Sequence, residues 1–195
     1  MKIGLLFGSF NPIHKGHIAI ARYFLENTDL ERIWFVVSPR NPLKKRNELL
    51  PASFRAEMVS DSLKGSKKMR VERIEFSLPV PSYTYRTLRK LRIKFPRHEF
   101  SIIMGADSLL TLKKWKNHEN LLKDHRIFIY PRKSDSKRSL LSHPNLLFSK
   151  APIMLFSSTE IRSKIANGKD VSKHVPAAVN RNIQKIRRFL LDIKL

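Results

Sequence analysis

The chain contains no cysteine in its 195 residues, so disulfides and thiolate metal ligands are both excluded. Acidic residues are scarce, with 16 Asp and Glu against 39 Lys and Arg and a formal net charge of +23. No carboxylate cluster suited to an all-protein metal site is visible, and an acidic partner is called for, either nucleic acid or a phosphorylated small molecule. The cations are spread along the chain, which argues against a basic tail that grips nucleic acid. Long apolar runs are also missing. None approaches the roughly 20 residues needed to cross a bilayer, and the opening run ends at Phe7 inside a polar motif, unlike a secretory signal. A cytoplasmic protein with no membrane partner is expected. There is no Walker loop, no internal repeat and no nucleophile beside a base, which points away from a covalent enzyme intermediate. No linker divides the chain, so residues 1–195 are read as a single domain with a helical C-terminal portion from about 158 to 195.

What is present begins with a loop. After the apolar residues Ile3, Leu5, Leu6 and Phe7 comes Gly8-Ser9-Phe10-Asn11-Pro12-Ile13-His14-Lys15-Gly16-His17, followed by the helical pattern Ile18, Ala21, Phe24, Leu25. This reads as strand, phosphate loop and helix. Gly8 is expected to let the backbone approach a ligand, and Asn11-Pro12 to turn the chain. A helix from about Gly16 to Asn27 would then aim its free N–H groups and positive dipole end at an anion. His14 and His17 fall on one face of the first turn, where both imidazoles can donate to one phosphate group.

Ile33 to Val37 is a continuous apolar run of the kind buried in a parallel sheet. The loop from Ser38 to Asn47 carries two prolines and four cations and should leave the carboxyl end of that strand, where open α/β sheets bind ligands. Ala52 to Leu63 reads as a helix behind Pro51, and Val71 to Phe76 as a strand with one solvated face. Thr84 is expected to cap a helix containing Leu88, Leu91 and Ile93, with Arg86 opposing the dipole in its first turn. Phe100 to Met104 is a buried strand ending in Gly105 and Asp107, and a helix with Leu109, Leu110 and Leu112 follows. Arg126 to Tyr130, Leu146 to Phe148 and Ile153 to Phe156 complete the strands, and Pro131 to Ser142 is polar and basic enough for a flexible segment. The fold class is therefore α/β, a Rossmann-like, doubly wound, mainly parallel sheet with helices on both faces.

A second anion motif lies at Ser157-Ser158-Thr159-Glu160-Ile161-Arg162. Ser157 and Glu160 form a reciprocal capping box, and Arg162 adds a guanidinium one turn into the helix. Gly168 ends that helix, and Val179, Ile183, Ile186 and Leu190 mark a terminal amphipathic helix from Pro176.

Gly8, Phe10, Pro12, His14, Gly16 and His17 resemble the signature of the nucleotidyltransferase superfamily. With Pro39 to Lys44, Pro81-Ser82-Tyr83-Thr84, Gly105 to Ser108, Trp115 and Ser157 to Arg162, nearly the whole chain resembles bacterial nicotinate-nucleotide adenylyltransferases. It departs from that pattern at Phe7, Asn11, Leu43 and Arg86, where relatives commonly carry Gly, Asp, His and Asp. The resemblance implies a catalytic role for His14 and His17. ATP binding would fall to Gly8, Ser9, Phe10, His14, His17, Gly105, Asp107, Ser158, Thr159 and Arg162, and nicotinate mononucleotide binding to Lys44, Tyr83, Thr84, Trp115 and Lys116. It further implies adenylyl transfer from ATP to nicotinate mononucleotide with Mg²⁺ carried by the triphosphate, no protein metal site and no nucleic-acid partner, and it leaves oligomerisation open. The rivals are transfer to another acceptor, such as nicotinamide mononucleotide or phosphopantetheine, and a basic nucleic-acid-binding protein. The last has no need of paired histidines in a strand-to-helix turn.

Overall fold

The computed structural model describes residues 1–40, 49–132 and 142–193. Six strands, β1 (Lys2–Gly8), β2 (Arg32–Val37), β3 (Met69–Glu72), β4 (Glu99–Gly105), β5 (Ile127–Tyr130) and β6 (Leu146–Phe148), form one sheet in the order β3-β2-β1-β4-β5-β6. Every pairing is parallel. The order reverses between β1 and β4, and there the two strand ends diverge to leave a crevice at their carboxyl side.

Strand periodicity divides the core. Leu6, Phe35 and Val37 project into a cluster with Ile20 and Phe24 of α1 (Lys15–Asn27) and Met58 and Val59 of α2 (Ala52–Ser62). Ile3, Leu5, Trp34 and Val36 project to the other face, onto Leu88 and Leu91 of α3 (Thr84–Lys94), Leu109 of α4 (Ala106–Leu109) and Leu121 of α5 (His118–Asp124). Both sheet faces are thus covered, which is why β1, β2 and β4 read as apolar runs rather than alternating ones. The C-terminal helices α6 (Ser158–Ala166), α7 (Ala177–Asn180) and α8 (Ile183–Asp192) add Ile161, Ile165, Val179 and Ile186 to the first cluster.

Several elements differ from the sequence reading. The strand expected over Val71 to Phe76 is Met69–Glu72, because the Glu72 carboxylate accepts the Ile74 N–H at 3.0 Å and turns the chain into a 3₁₀ helix over Ile74–Ser77. Tyr83, not Thr84, occupies the cap position of α3, its carbonyl accepting from the N–H groups of Arg86 and Thr87, and Ile93 points to solvent. Residues 153–156 form no strand: β6 already pairs with the outer side of β5, and Phe156 turns inward toward His14 instead. Leu110 is exposed, and the helix expected through Leu112 is α4 followed by a 3₁₀ turn over Leu112–Lys114. The single terminal helix is broken into α7 and α8 where the Asn182 side chain donates to the Ala178 carbonyl at 2.8 Å, competing with the backbone. The expected flexible segment lies mostly outside the described residues.

Phe24 is fully buried and its ring lies 5.5 Å from that of Phe128 across the sheet. Phe24→Ala should cost about 3–5 kcal/mol of stability, whereas Ile93→Ala should stay within about 0.5 kcal/mol of native. Urea unfolding of both variants checks the assignment of the core, and comparable losses would contradict it.

Candidate active site

A cleft of about 1010 Å³ opens at the crevice between β1 and β4. Its walls come from the first residues after four strands: Ser9 to Asn11 after β1, Ser38 after β2, Asp107 and Ser108 after β4, and Arg132 after β5. His14 and His17 line it from α1, and Ser157 to Glu160 with Arg162 line it from the start of α6. The two anion motifs, at opposite ends of the chain, therefore face one space. Tyr83, Thr84, Trp115 and Lys116 line the same cleft. Lys44 lies outside the described residues, as does Leu43.

The two motifs also touch. The Ser158 hydroxyl donates to the Pro12 carbonyl at 3.0 Å, and the Arg162 guanidinium donates to the Asn11 carbonyl at 3.0 Å. Asn11 in turn accepts the Leu50 N–H on its side-chain oxygen at 3.0 Å. The proton of Ser158 is thus committed to the loop. The donors that α6 turns toward an anion are its N-terminal N–H groups and the Thr159 hydroxyl, with Ser157 and Glu160 closing the capping box.

The histidines stack, ring centroids 3.6 Å apart and 21° from parallel. His14 caps α1, and its own N–H donates to His17 Nδ1 at 3.2 Å. With Nδ1 accepting, neutral His17 carries its proton on Nε2. His14 is buried, with Phe156 edge-on at 5.3 Å. That burial, reinforced by the positive charges of Arg132 and His174, pushes its imidazolium down to about 3. His14 is therefore neutral at physiological pH.

Gly8 and Gly105 line the cleft, and each also leaves room for a neighbouring side chain. A side chain at Gly8 would stand 2.9 Å from the Phe10 ring, so the vacancy is filled by the protein itself. Phe10 is buried, packed on Phe35 and edge-on to His17, and is among the residues that line the cleft. At Gly105 an added Cβ would meet the Asp107 carboxylate, which folds back to accept the Ser108 N–H at 3.0 Å and faces Arg132 Nε at 3.7 Å. Ser9 lines the cleft with a buried hydroxyl that has no partner among the described residues.

The cleft lining also includes residues that the sequence reading did not name as site residues, among them Arg132, Glu75, Ser38 and Ser82. Arg132 lies over the Tyr130 ring, 5.2 Å from its centroid. Glu75 is a buried carboxylate that accepts the Thr87 hydroxyl at 2.7 Å, and desolvation pushes its pKa up. Ser38 and Ser82 flank it on the cleft wall. Ser38 and Ser82 fall inside the post-β2 loop and the Pro81-Ser82-Tyr83-Thr84 segment noted in the sequence, whereas nothing in the spacing marks Arg132 or Glu75, which separate segments bring in. Arg86, the cation noted at a helix start, is not part of the lining. Its guanidinium lies 5.2 Å from the Tyr83 ring centroid, and Lys116 Nζ lies 5.5 Å from the same ring.

Comparison with known proteins gives a consistent result. Residues 5–164 match the family described as Cytidylyltransferase-like. The probable nicotinate-nucleotide adenylyltransferase of Flavobacterium johnsoniae is 49% identical over 181 residues, covering 92% of this chain and 94% of that protein. Its counterpart from Bacteroides thetaiotaomicron is 37% identical over 195 residues, covering 98% and 96%. Among solved structures, the Plasmodium falciparum nicotinic acid mononucleotide adenylyltransferase complexed with NaAD superposes with a TM-score of 0.75 at 18% identity, covering 100% of this chain and 96% of that one. At that identity the likeness is one of fold.

The burial of His14 has a consequence in acid. Unfolded, the imidazole titrates near 6.5; folded, it resists protonation to about 3. Between those values the unfolded state binds the extra proton, so stability falls as pH falls, by up to about 1.4 kcal/mol per pH unit from this residue. Urea unfolding between pH 7 and 4 should show a shallower acid limb for His14→Gln than for the native protein. An unchanged slope would contradict the buried, neutral assignment.

Proposed function

The chain belongs to the nicotinate-nucleotide adenylyltransferases, and from that premise we propose that it transfers the adenylyl group of ATP to nicotinate mononucleotide, forming deamido-NAD and pyrophosphate in NAD biosynthesis. The observation that carries this reading is the convergence of two anion motifs on one cleft whose far wall holds Tyr83, Thr84, Trp115 and Lys116. A triphosphate suits the first region and a pyridine nucleotide the second. A cytoplasmic setting is part of the same reading; among the described residues no helix is long and apolar enough to cross a membrane.

A phosphate oxygen of the acceptor attacks the α-phosphorus of ATP, and the bond to pyrophosphate breaks. The acceptor phosphate is already ionised, so no general base is required, and the protein supplies position and positive charge. His17, with Nδ1 held by the His14 N–H, presents Nε2–H to the charge developing on the α-phosphate. Neutral His14 stacks behind it and keeps that ring in place. The start of α6, Thr159 and Arg162 hold the leaving pyrophosphate, while Ser158 keeps the first loop against them. Asp107 suits the hydroxyls of the adenosine ribose, and Trp115, with Nε1 donating to Thr111 at 3.4 Å, offers its ring to the pyridine.

Magnesium is part of the proposal and fits the donor set. Among the described residues no group of three or more His, Asp or Glu is arranged to hold a metal, and the phosphate end is lined by N–H, hydroxyl and guanidinium donors that suit oxygen anions rather than cations. Mg²⁺ would arrive on ATP and neutralise its phosphate oxygens.

The acceptor preference follows from charge. Nicotinate carries one more negative charge than nicotinamide, and Trp115 stacks on either ring, so discrimination rests on donors such as Thr84 and the N–H groups at the start of α3. One or two charge-assisted hydrogen bonds, about 1.5–3 kcal/mol each, give a preference on the order of tenfold to a few thousandfold. Pyrophosphate release measured with ATP, Mg²⁺ and each of nicotinate mononucleotide, nicotinamide mononucleotide and phosphopantetheine should show kcat/KM highest for the first. Equal values for the two pyridine nucleotides would make the enzyme dual-specific, and turnover only with phosphopantetheine would overturn the assignment.

A further inference from the structure

Arg55 sits on α2 behind the cleft wall, 1% exposed, and is the largest fully buried side chain among the described residues. It is absent from the cleft lining. No carboxylate pairs with it among the described residues. Its donors go instead to four backbone carbonyls: Nε to Leu50 at 2.8 Å, one terminal nitrogen to Ser9 and to Ser38 at 3.0 Å, and the other to Pro39 at 3.0 Å. Desolvation lowers its pKa to about 10, which still leaves it charged at neutral pH. A buried cation among carbonyls is an expensive way to fill a hydrophobic position, where a leucine or methionine would pack without desolvation.

The carbonyls it selects explain its presence. In a trans peptide the C=O and N–H point to opposite sides. Holding the Ser9 carbonyl toward Arg55 therefore directs the Phe10 N–H to the other side, which is the cleft. That N–H donates to nothing among the described residues, although Phe10 is buried. Phe10 also adopts φ +45°, a left-handed conformation that a bulky residue keeps only when its surroundings enforce it. The other carbonyls belong to Ser38 and Pro39, directly after β2, and to Leu50, directly before α2.

We propose that Arg55 is a positioning residue for adenylyl transfer: it fixes the Ser9–Phe10 peptide so that the Phe10 N–H meets the ATP phosphates, and the same guanidinium ties that peptide to the Ser38, Pro39 and Leu50 carbonyls. This rests on the assignment of the cleft to ATP and a nucleotide acceptor. Its effect passes through the backbone, so it touches no substrate.

Arg55→Lys keeps the charge but lacks the planar fork and can reach fewer of the four carbonyls; Arg55→Gln loses the charge as well. Assayed with ATP, Mg²⁺ and nicotinate mononucleotide well below each variant's Tm, the lysine variant should lose about tenfold to a hundredfold in kcat and show raised KM for both substrates, with glutamine lower still. A variant with native kcat and KM and only a lowered Tm would make Arg55 a stability element and overturn the proposal. Native enzyme that fails to make deamido-NAD would instead overturn the assignment of the reaction, a distinct result. Should both variants fail to fold, the native protein decides: with ATP and Mg²⁺ the Phe10 amide resonance should shift among the most strongly of all and its exchange with solvent should slow. An unmoved Phe10 amide would overturn the proposal.

Discussion

A loop that offers its N–H groups to phosphate must turn its carbonyls elsewhere and find donors for them, because a buried carbonyl without a partner costs as much as a lost hydrogen bond. Everything around the β1–α1 loop answers that requirement. Ser9 is served by Arg55 from α2, Asn11 by Arg162 from α6 and Pro12 by Ser158 from α6. Three side chains from two helices, one of them near the end of the chain, thus hold the loop from behind. The same contacts accompany the joining of the C-terminal helices to the core beneath β1, and they bring the start of α6 to the cleft that the start of α1 also lines.

Electrostatics follows from the same arrangement. Cations predominate across the chain, yet His14, stacked behind His17, is kept neutral by burial, and the buried guanidinium of Arg55 acts behind the wall. In the proposed reaction, fixed N–H dipoles and one imidazole donor meet the substrate, an arrangement that preorganises a site without crowding like charges into it. Glu75, buried against Thr87 on the acceptor wall, is the counterexample: a carboxylate held where desolvation favours its protonated form.

Much of this was legible in the sequence, and the failures have physical causes. The strands under β1, β2, β4 and β5 are apolar because both their faces are covered, so composition alone located them. The β1–α1 loop and the Ser157 to Arg162 segment could be picked out from residue types and spacing at a helix start, and the fold brings both to one cleft. The alternation at 153–156 persisted without a strand, since alternate burial needs only a surface to lie on, whereas a strand needs a free edge. Asn182 broke the last helix through a side-chain bond that hydrophobic periodicity does not register. Arg55 was invisible for a deeper reason: its partners are carbonyls, which every residue carries, so no residue type marks them. At Gly8 the sequence does not show that a side chain would also meet the Phe10 ring, because that contact exists only once the loop is folded.

The most direct test of the shared clamp is a double-mutant cycle on kcat/KM for ATP, combining Arg55→Lys with Ser158→Ala. Both residues hold one loop, so once either is lost the other has less to hold. The double variant should therefore fall short of the sum of the single losses by at least about 1 kcal/mol, a coupling expected only of groups that share a structural element. Losses that add within about 0.5 kcal/mol would mean that the two residues act independently, and the account of a loop held jointly from behind would be wrong.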